Sequence, residues 1–259
     1  MAPLRIRFGI IVPSSNTAME PLITSILETV NACIPSVYTT AHFSRFRVTQ
    51  ISLDASAHSQ FDLETILHAA SLLADAKVDA ILWGGTSAGW LGLDNDRQLC
   101  QAIEARFGIP AHTSTLAVLE YLQYRPDRPK LGLVTPYIKT MNDAIQDNFA
   151  KEGVTVISAE QCLSITDNVR IAEVTAEQLT EMVDRMMSLD VTTSVIAVYC
   201  TNLSAAQLVT QWEDKHRQKT LCVLDSVSIG VWGLLRKVGI STAHTGIAAR
   251  WGRIFDLSL

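Results

Sequence analysis

Short apolar runs rich in valine and isoleucine alternate along this chain with longer stretches of helical period. Runs of four to eight residues without polar interruption are the mark of strands buried on both faces of a parallel sheet, and the longer segments between them supply the covering helices. The pattern predicts strands at RFGIIVP (7–13), VDAILWGG (78–85), IPAHTS (109–114), KLGLVTP (130–136), VTVISAE (154–160), SVIAVYC (194–200) and TLCVLD (220–225). Two amphipathic helices stand out between them. Residues 62–77 place Leu63, Ile66, Leu67, Ala70 and Leu73 on one face, and 173–189 place Val174, Leu179, Met182, Val183 and Met186 likewise.

The pattern also repeats. FGIIVPSSN begins at Phe8 and aligns with LGLVTPYIK beginning at Leu131, an offset of 123 residues. DAILWGGTS from Asp79 aligns with SVIAVYCTN from Ser194 at 115, and STLAVLEYL from Ser114 with SVSIGVWGL from Ser226 at 112. Drift of this size is what differing loop lengths produce. The expected fold is therefore α/β, with two pseudo-symmetric Rossmann-like halves, each a parallel sheet covered by helices, and a cleft between them. The first half is expected over 1–118, joined by the C-terminal segment 229–259, and the second over 119–228.

Ligands of parallel sheets gather beyond the carboxyl ends of the strands. The repeated strand ends bring polar residues to one region: Ser14, Ser15 and Asn16; Thr86 and Ser87; Tyr137; Thr201 and Asn202. Gly85 and Cys200 occupy equivalent positions and are expected to face one another across the cleft.

Composition narrows the chemistry. With 259 residues, 48% of them hydrophobic, the chain buries a large core. A net charge of −5 without like-charge blocks offers no footprint for nucleic acid or an anionic membrane, which leaves a small-molecule substrate as the expected partner. The apolar run before Pro13 is too short for a signal-peptide core or a membrane span, so a cytoplasmic location is expected. The cysteines (Cys33, Cys100, Cys162, Cys200 and Cys222) and the histidines (His42, His58, His68, His112, His216 and His244) show neither CxxC nor HExxH spacing. No metal is expected. The glycines form neither GxGxxG nor a Walker loop, so no cofactor is expected either. Four of the cysteines read as small buried hydrophobes; Cys200, at a strand end before Thr and Asn, differs.

PSSNTAMEP (13–21), GTSAG (85–89), VTPY (134–137), YCTNL (199–203) and WGRIFD (251–256) together resemble the aspartate/glutamate racemase superfamily, in its maleate isomerase and arylmalonate decarboxylase branch. The resemblance covers nearly the whole chain. Racemases and maleate isomerases of that group carry a cysteine in each half, and this chain has Gly85 at the first position. Arylmalonate decarboxylases share the departure. Resemblance to them implies cofactor-free loss of carbon dioxide from a 2-substituted malonate, with Thr86, Ser87 and Tyr137 donating to the enediolate and Cys200 delivering the proton. Ser14 and Asn16 resemble the carboxylate-binding PSSN of maleate isomerases, and the family allows a homo-oligomer.

The residues support these roles physically. Fixed donors stabilise a developing enediolate more than its precursor, and a thiol with an ordinary pKa of about 8.5 is protonated at neutral pH. The missing side chain at Gly85 is expected to leave room for a substrate substituent or departing carboxylate. Each residue also has a plainer role. Thr17 and Glu20 have capping-box spacing, Tyr137 fits as a half-buried packing residue, and Arg45 and Arg47 fit as solvated surface charge.

Other functions fit parts of the pattern. A maleate-type cis-trans isomerase or one-base epimerase would use Cys200 alone or with Tyr137. A non-catalytic carboxylate binder would explain a missing cysteine. A serine hydrolase would use Ser87 of Gly85-Thr86-Ser87-Ala88-Gly89 as a nucleophile elbow, with Asp225 and His244 following in order; against it, residues 90–94 interrupt the helix such an elbow needs.

Overall fold

The computed structural model describes residues 2–54, 59–158, 163–189 and 192–257. Among the described residues eight strands form two parallel four-stranded sheets. In the first, β1 (Leu4–Pro13), β2 (Val37–Phe46), β3 (Ala80–Trp83) and β4 (Ala111–Thr113) lie in the order β2-β1-β3-β4. In the second, β5 (Leu131–Val134), β6 (Val156–Ser158), β7 (Val195–Val198) and β8 (Cys222–Asp225) lie in the order β6-β5-β7-β8.

The registers carry the repeat seen in the sequence. Ile11 of β1 lies beside Trp83 of β3, and Val134 of β5 beside Val198 of β7, so the offsets of 123 and 115 residues coincide in space. Thr113 of β4 and Asp225 of β8 follow the same rule, at 112. Each of these last two caps the next helix. Thr113 accepts from Leu116 N at the head of α5 (Ser114–Tyr124), and Asp225 from Val227 N and Ser228 N at the head of α10 (Ser226–Lys237).

The remaining helices are α1 (Met19–Cys33), α2 (Leu63–Asp75), α3 (Ala88–Leu91), α4 (Leu93–Phe107), α6 (Lys139–Lys151), α7 (Asn168–Ile171), α8 (Ala176–Leu189), α9 (Val209–Lys215) and α11 (Ala248–Trp251). The two expected from periodicity form, and α2 buries Ile66, Leu67, Ala70 and Leu73 while Leu63 stays exposed. Val174, expected on the face of α8, is buried just ahead of it.

The one strand that the apolar pattern did not reveal is β2. Its VYTTAHFSRF buries only Thr39, Ser44 and Phe46 fully, because it lies at a sheet edge. Asn31 of α1 holds it, accepting from Thr39 N at 2.6 Å and donating to Thr39 O at 2.9 Å. Arg45, expected as solvated surface charge, lies in this strand and pairs with Glu20 at 2.8 Å.

Residues of both sheets share one continuous apolar core. Helix α10 is buried from Ser226 to Leu235 and reaches into the first half, where Gly233 lies so close to His112 that a β-carbon there would collide with the ring. The chain beyond it follows: Trp251 donates from Nε1 to Thr29 Oγ1 of α1 at 2.9 Å.

Candidate active site

The turns that leave β3 and β7 meet at the centre of the molecule. Thr201 donates to Gly84 O at 2.9 Å and accepts from Asn16 Nδ2 at 3.2 Å, which ties together the ends of β7, β3 and β1. All three residues are buried, Asn16 and Thr201 almost completely.

Helix α1 starts at this junction, and its cap differs from the one expected. Thr17 and Glu20 form no capping box. Instead Asn16 Oδ1 accepts from Ala18 N and Met19 N, and Asn202 Oδ1, from the other half, accepts from Thr17 N at 2.9 Å and Ala18 N at 3.2 Å. Two asparagines thus satisfy the free N–H groups of one helix start, and Glu20 turns outward to Arg45. Asn202 also donates to Asn168 O, and Asn168 donates to Ser15 Oγ at 2.8 Å. Nothing in its sequence context marks Asn168 for this position.

Cys200 is 4% exposed. Burial pushes its thiol up to about 11, against the opposing pull of hydrogen bonds from Tyr137 and from the backbone N–H groups of Asn202 and Leu203. The proton therefore stays on sulfur at neutral pH. Tyr137, 1% exposed, shares a 3.1 Å hydrogen bond with Thr86 Oγ1, and burial holds its phenol well above the ordinary range. Thr86, Tyr137 and Cys200 thus form a continuous set of O–H and S–H groups from both halves. Beside them, Tyr199 shares a 2.7 Å hydrogen bond with Thr115 Oγ1.

Gly85 departs from expectation. The space a side chain would take there is not open: a β-carbon built on Gly85 would collide with Cζ2 and Cε2 of Trp83. The indole is 1% exposed and wedged against Phe46 and Phe61, with ring centroids 5.3 and 6.5 Å away. A rigid buried ring cannot yield as a flexible side chain would, so Trp83 occupies the place where the opposite half carries its thiol.

Ser87 is buried and opens α3 without a capping hydrogen bond from its side chain. Ser14 is an exposed residue whose hydroxyl is tied to the β2 exit, donating to Val48 O at 3.2 Å and accepting from Val48 N at 3.1 Å. The hydrolase arrangement does not assemble. Asp225 is committed to the start of α10, and His244 is exposed beside Asp256 at 3.8 Å. Helix α3 also breaks at Gly92, whose φ of 108° only glycine adopts readily.

Among the described residues no three His, Cys, Asp or Glu side chains cluster as a metal would require. Cys33 and Cys100 are half-buried and free, Cys222 is buried, and Cys162 and His58 lie outside the described residues. No described helix is long and apolar enough to cross a membrane.

The family model for arylmalonate decarboxylase matches residues 23–254. Over 241 residues the chain is 27% identical to a maleate isomerase of Alcaligenes faecalis, covering 91% of this chain and 92% of that one. Its fold is shared with a Cys-to-Ser variant of the Nocardia farcinica maleate cis-trans isomerase that holds a covalently bound succinylcysteine intermediate. That likeness has a TM-score of 0.81 at 21% identity and covers 98% and 100% of the two chains. A liganded arylmalonate decarboxylase in which a glycine is changed to cysteine and a cysteine to serine also shares it, with a TM-score of 0.75, 19% identity and the same coverage. At these identities the two structures establish the fold alone.

Proposed function

Because this chain belongs to the arylmalonate decarboxylase family, we propose that it removes carbon dioxide from a 2-substituted malonate and protonates the resulting enediolate from Cys200. Both carboxylates of the substrate sit at the junction of the β3 and β7 turns. One leaves as carbon dioxide when its bond to the α-carbon breaks, and the bonding pair moves into the other, which becomes the enediolate. Thr86, Ser87 and Tyr137 hydroxyls donate to its oxygens as their charge grows, which lowers the barrier more than it tightens substrate binding. Cys200 then gives its proton to the α-carbon, and the thiolate regains one from solvent. No base is required, because the breaking carbon–carbon bond supplies the electron pair.

The observation that carries this reading is Trp83 over Gly85. It leaves the cleft with one thiol, and that thiol is held protonated by burial. A protonated thiol serves as an acid more readily than as a nucleophile, since the thiolate is the nucleophilic form. The decarboxylase variant offers a parallel in kind: the protein it was made from carries a glycine and a cysteine at the exchanged positions.

A second reading is favoured by the relatives, whose names point to maleate isomerisation rather than decarboxylation. In it Cys200 first gives its proton to solvent, and the thiolate adds to the double bond of a cis-dicarboxylate. The electron pair moves into the distal carboxylate, the new single bond rotates, and elimination returns the thiolate with a trans double bond. Asn16 and Ser14 would then hold the second carboxylate.

Proton NMR in deuterated buffer separates the two. A malonate converted to its monoacid with one deuteron at the α-carbon supports decarboxylation. Conversion of maleate to fumarate without carbon dioxide release, with malonates untouched, replaces it by isomerisation. Silence on both, with carboxylates bound, leaves a binding protein.

A further inference from the structure

Beside the two strand-end turns stands a second matched pair, Thr113 in register with Trp83 and Asp225 in register with Val198. Each caps the helix that follows it, Thr113 with a hydroxyl and Asp225 with a carboxylate. Threonine is a sufficient cap, so capping alone does not account for the acid. Burial makes that acid costly: Asp225 is 0% exposed, its Oδ1 accepts from Val227 N at 3.0 Å and Ser228 N at 2.8 Å, and its Oδ2 has no hydrogen-bond partner.

The acid stands in the half that carries the thiol. Two residues beyond Trp83 is Gly85, and two beyond Val198 is Cys200. Side chains two apart on an extended chain return to the same face of a sheet, and the chain beyond Val198 is still on the ladder at Tyr199, whose N–H donates to Val134 O at 2.8 Å. Asp225 and Cys200 thus share a face, and the carboxylate acts on the thiol electrostatically, adding to burial in favour of the protonated form. Ser226 fixes the approach, donating from Oγ to Val198 O at 2.9 Å. The groups around the carboxylate are Val227 N, Ser228 N and the Ser228 hydroxyl; those around the thiol are Tyr137 and the N–H groups of Asn202 and Leu203. None of these is a cation. Burial raises Asp225 to about 6, so it is charged at neutral pH. The first half has its own buried acid, Asp96, but that one bonds to Thr113 and acts on Tyr199 and Cys100.

We propose that Asp225 is a positioning residue for the proton on Cys200: its charge holds the proton on sulfur until the α-carbon of the substrate takes it, and hastens reprotonation of the thiolate left behind. In that cycle the S–H bond breaks as the C–H bond forms, and sulfur keeps the electron pair until solvent returns a proton. The same charge disfavours the thiolate as a nucleophile, which selects decarboxylation over addition to a double bond. The proposal rests on the decarboxylase reading for its catalytic step.

The test is the pH profile of Cys200 alkylation by iodoacetamide in the intact protein, resolved by peptide mass spectrometry, for wild type, Asp225→Asn and Asp225→Thr. Asparagine keeps the oxygen that caps α10, and threonine copies Thr113. Access to a buried sulfur scales the whole profile, whereas the midpoint follows thiolate formation. In both variants the midpoint is expected to fall by about one pH unit, roughly tenfold more thiolate at pH 8, while the profile of Cys33 stays in place. The alkaline limb of malonate decarboxylation is expected to move down by the same amount, with KM little changed. An unmoved Cys200 midpoint in variants whose circular dichroism matches wild type overturns the role of Asp225 and leaves the decarboxylase reading intact. A midpoint that falls as expected in a protein inert toward every malonate upholds the hold of Asp225 on the thiol and removes the decarboxylation.

Discussion

Trp83-Gly84-Gly85-Thr86-Ser87 and Val198-Tyr199-Cys200-Thr201-Asn202 are one turn built twice, in equivalent registers of two sheets. In the first, a large residue at the strand end forces a glycine two positions later. In the second, the smaller Val198 leaves room for a side chain, and a thiol takes it. The exchange conserves volume across the pseudo-twofold while discarding one reactive group. What remains is one buried thiol where the two turns meet.

The severest test of that asymmetry removes its reactive member. Cys200→Ala is expected to lower turnover by roughly 10²–10⁴-fold, the usual contribution of a general acid, with an unchanged circular dichroism spectrum. Full activity in this variant removes the thiol from the mechanism.

The carboxylates near the two turns differ as well. Asp96 and Asp225 each have one carboxylate oxygen without a partner, but Asp225 Oδ1 accepts two backbone N–H bonds at the start of α10, and burial raises Asp225 less far, to about 6. The folded-state pKa of Asp96 is raised from 3.8 to about 7, so between these values the native state holds a proton that the unfolded chain has lost. Stability from this group is present at about pH 4 and falls as pH rises to 7, by up to about 4 kcal/mol. Denaturant titration of Asp96→Asn is expected to show a gain over wild type that grows across this window and levels off above it. A constant difference would contradict the shift.

Tyr137 links the halves by contacting both Thr86 and Cys200. Tyr137→Phe is expected to cost roughly 10²-fold in turnover, the loss of one oxyanion donor, with little change in KM. It is also expected to raise the pKa of Cys200 further, since the lost hydrogen bond favours the thiolate; thiolate absorbance against pH reads this directly.

The volume argument has its own variant. Gly85→Cys is expected to destabilise by about 1–3 kcal/mol in denaturant unfolding, because the new side chain meets the Trp83 ring. The double change Gly85→Cys with Trp83→Val should recover part of that loss and place a second thiol opposite Cys200. The double variant is then expected to exchange the α-proton of a chiral monoacid, seen as deuterium uptake with racemisation. The smallest effect is reserved for the cap supplied across the halves: Asn202→Ala should cost about 1 kcal/mol of stability, and no change in the unfolding midpoint would mean that Asn16 alone suffices.

Much of this architecture was legible in the sequence. Buried parallel strands are apolar on both faces, so seven of the eight could be read from local composition, and an edge strand such as β2, half polar, could not. The internal repeat aligned the two turns and singled out Gly85 against Cys200, because equivalent registers preserve residue spacing. The groups that meet across the halves were not legible. Asn202 capping α1 and Asn168 reaching Ser15 both join positions far apart in the chain. Nor could spacing tell an empty glycine from a filled one. A glycine in the sequence records only an absent side chain; whether substrate or a neighbouring indole takes the space depends on rotamers and close packing, which exist only in the folded molecule.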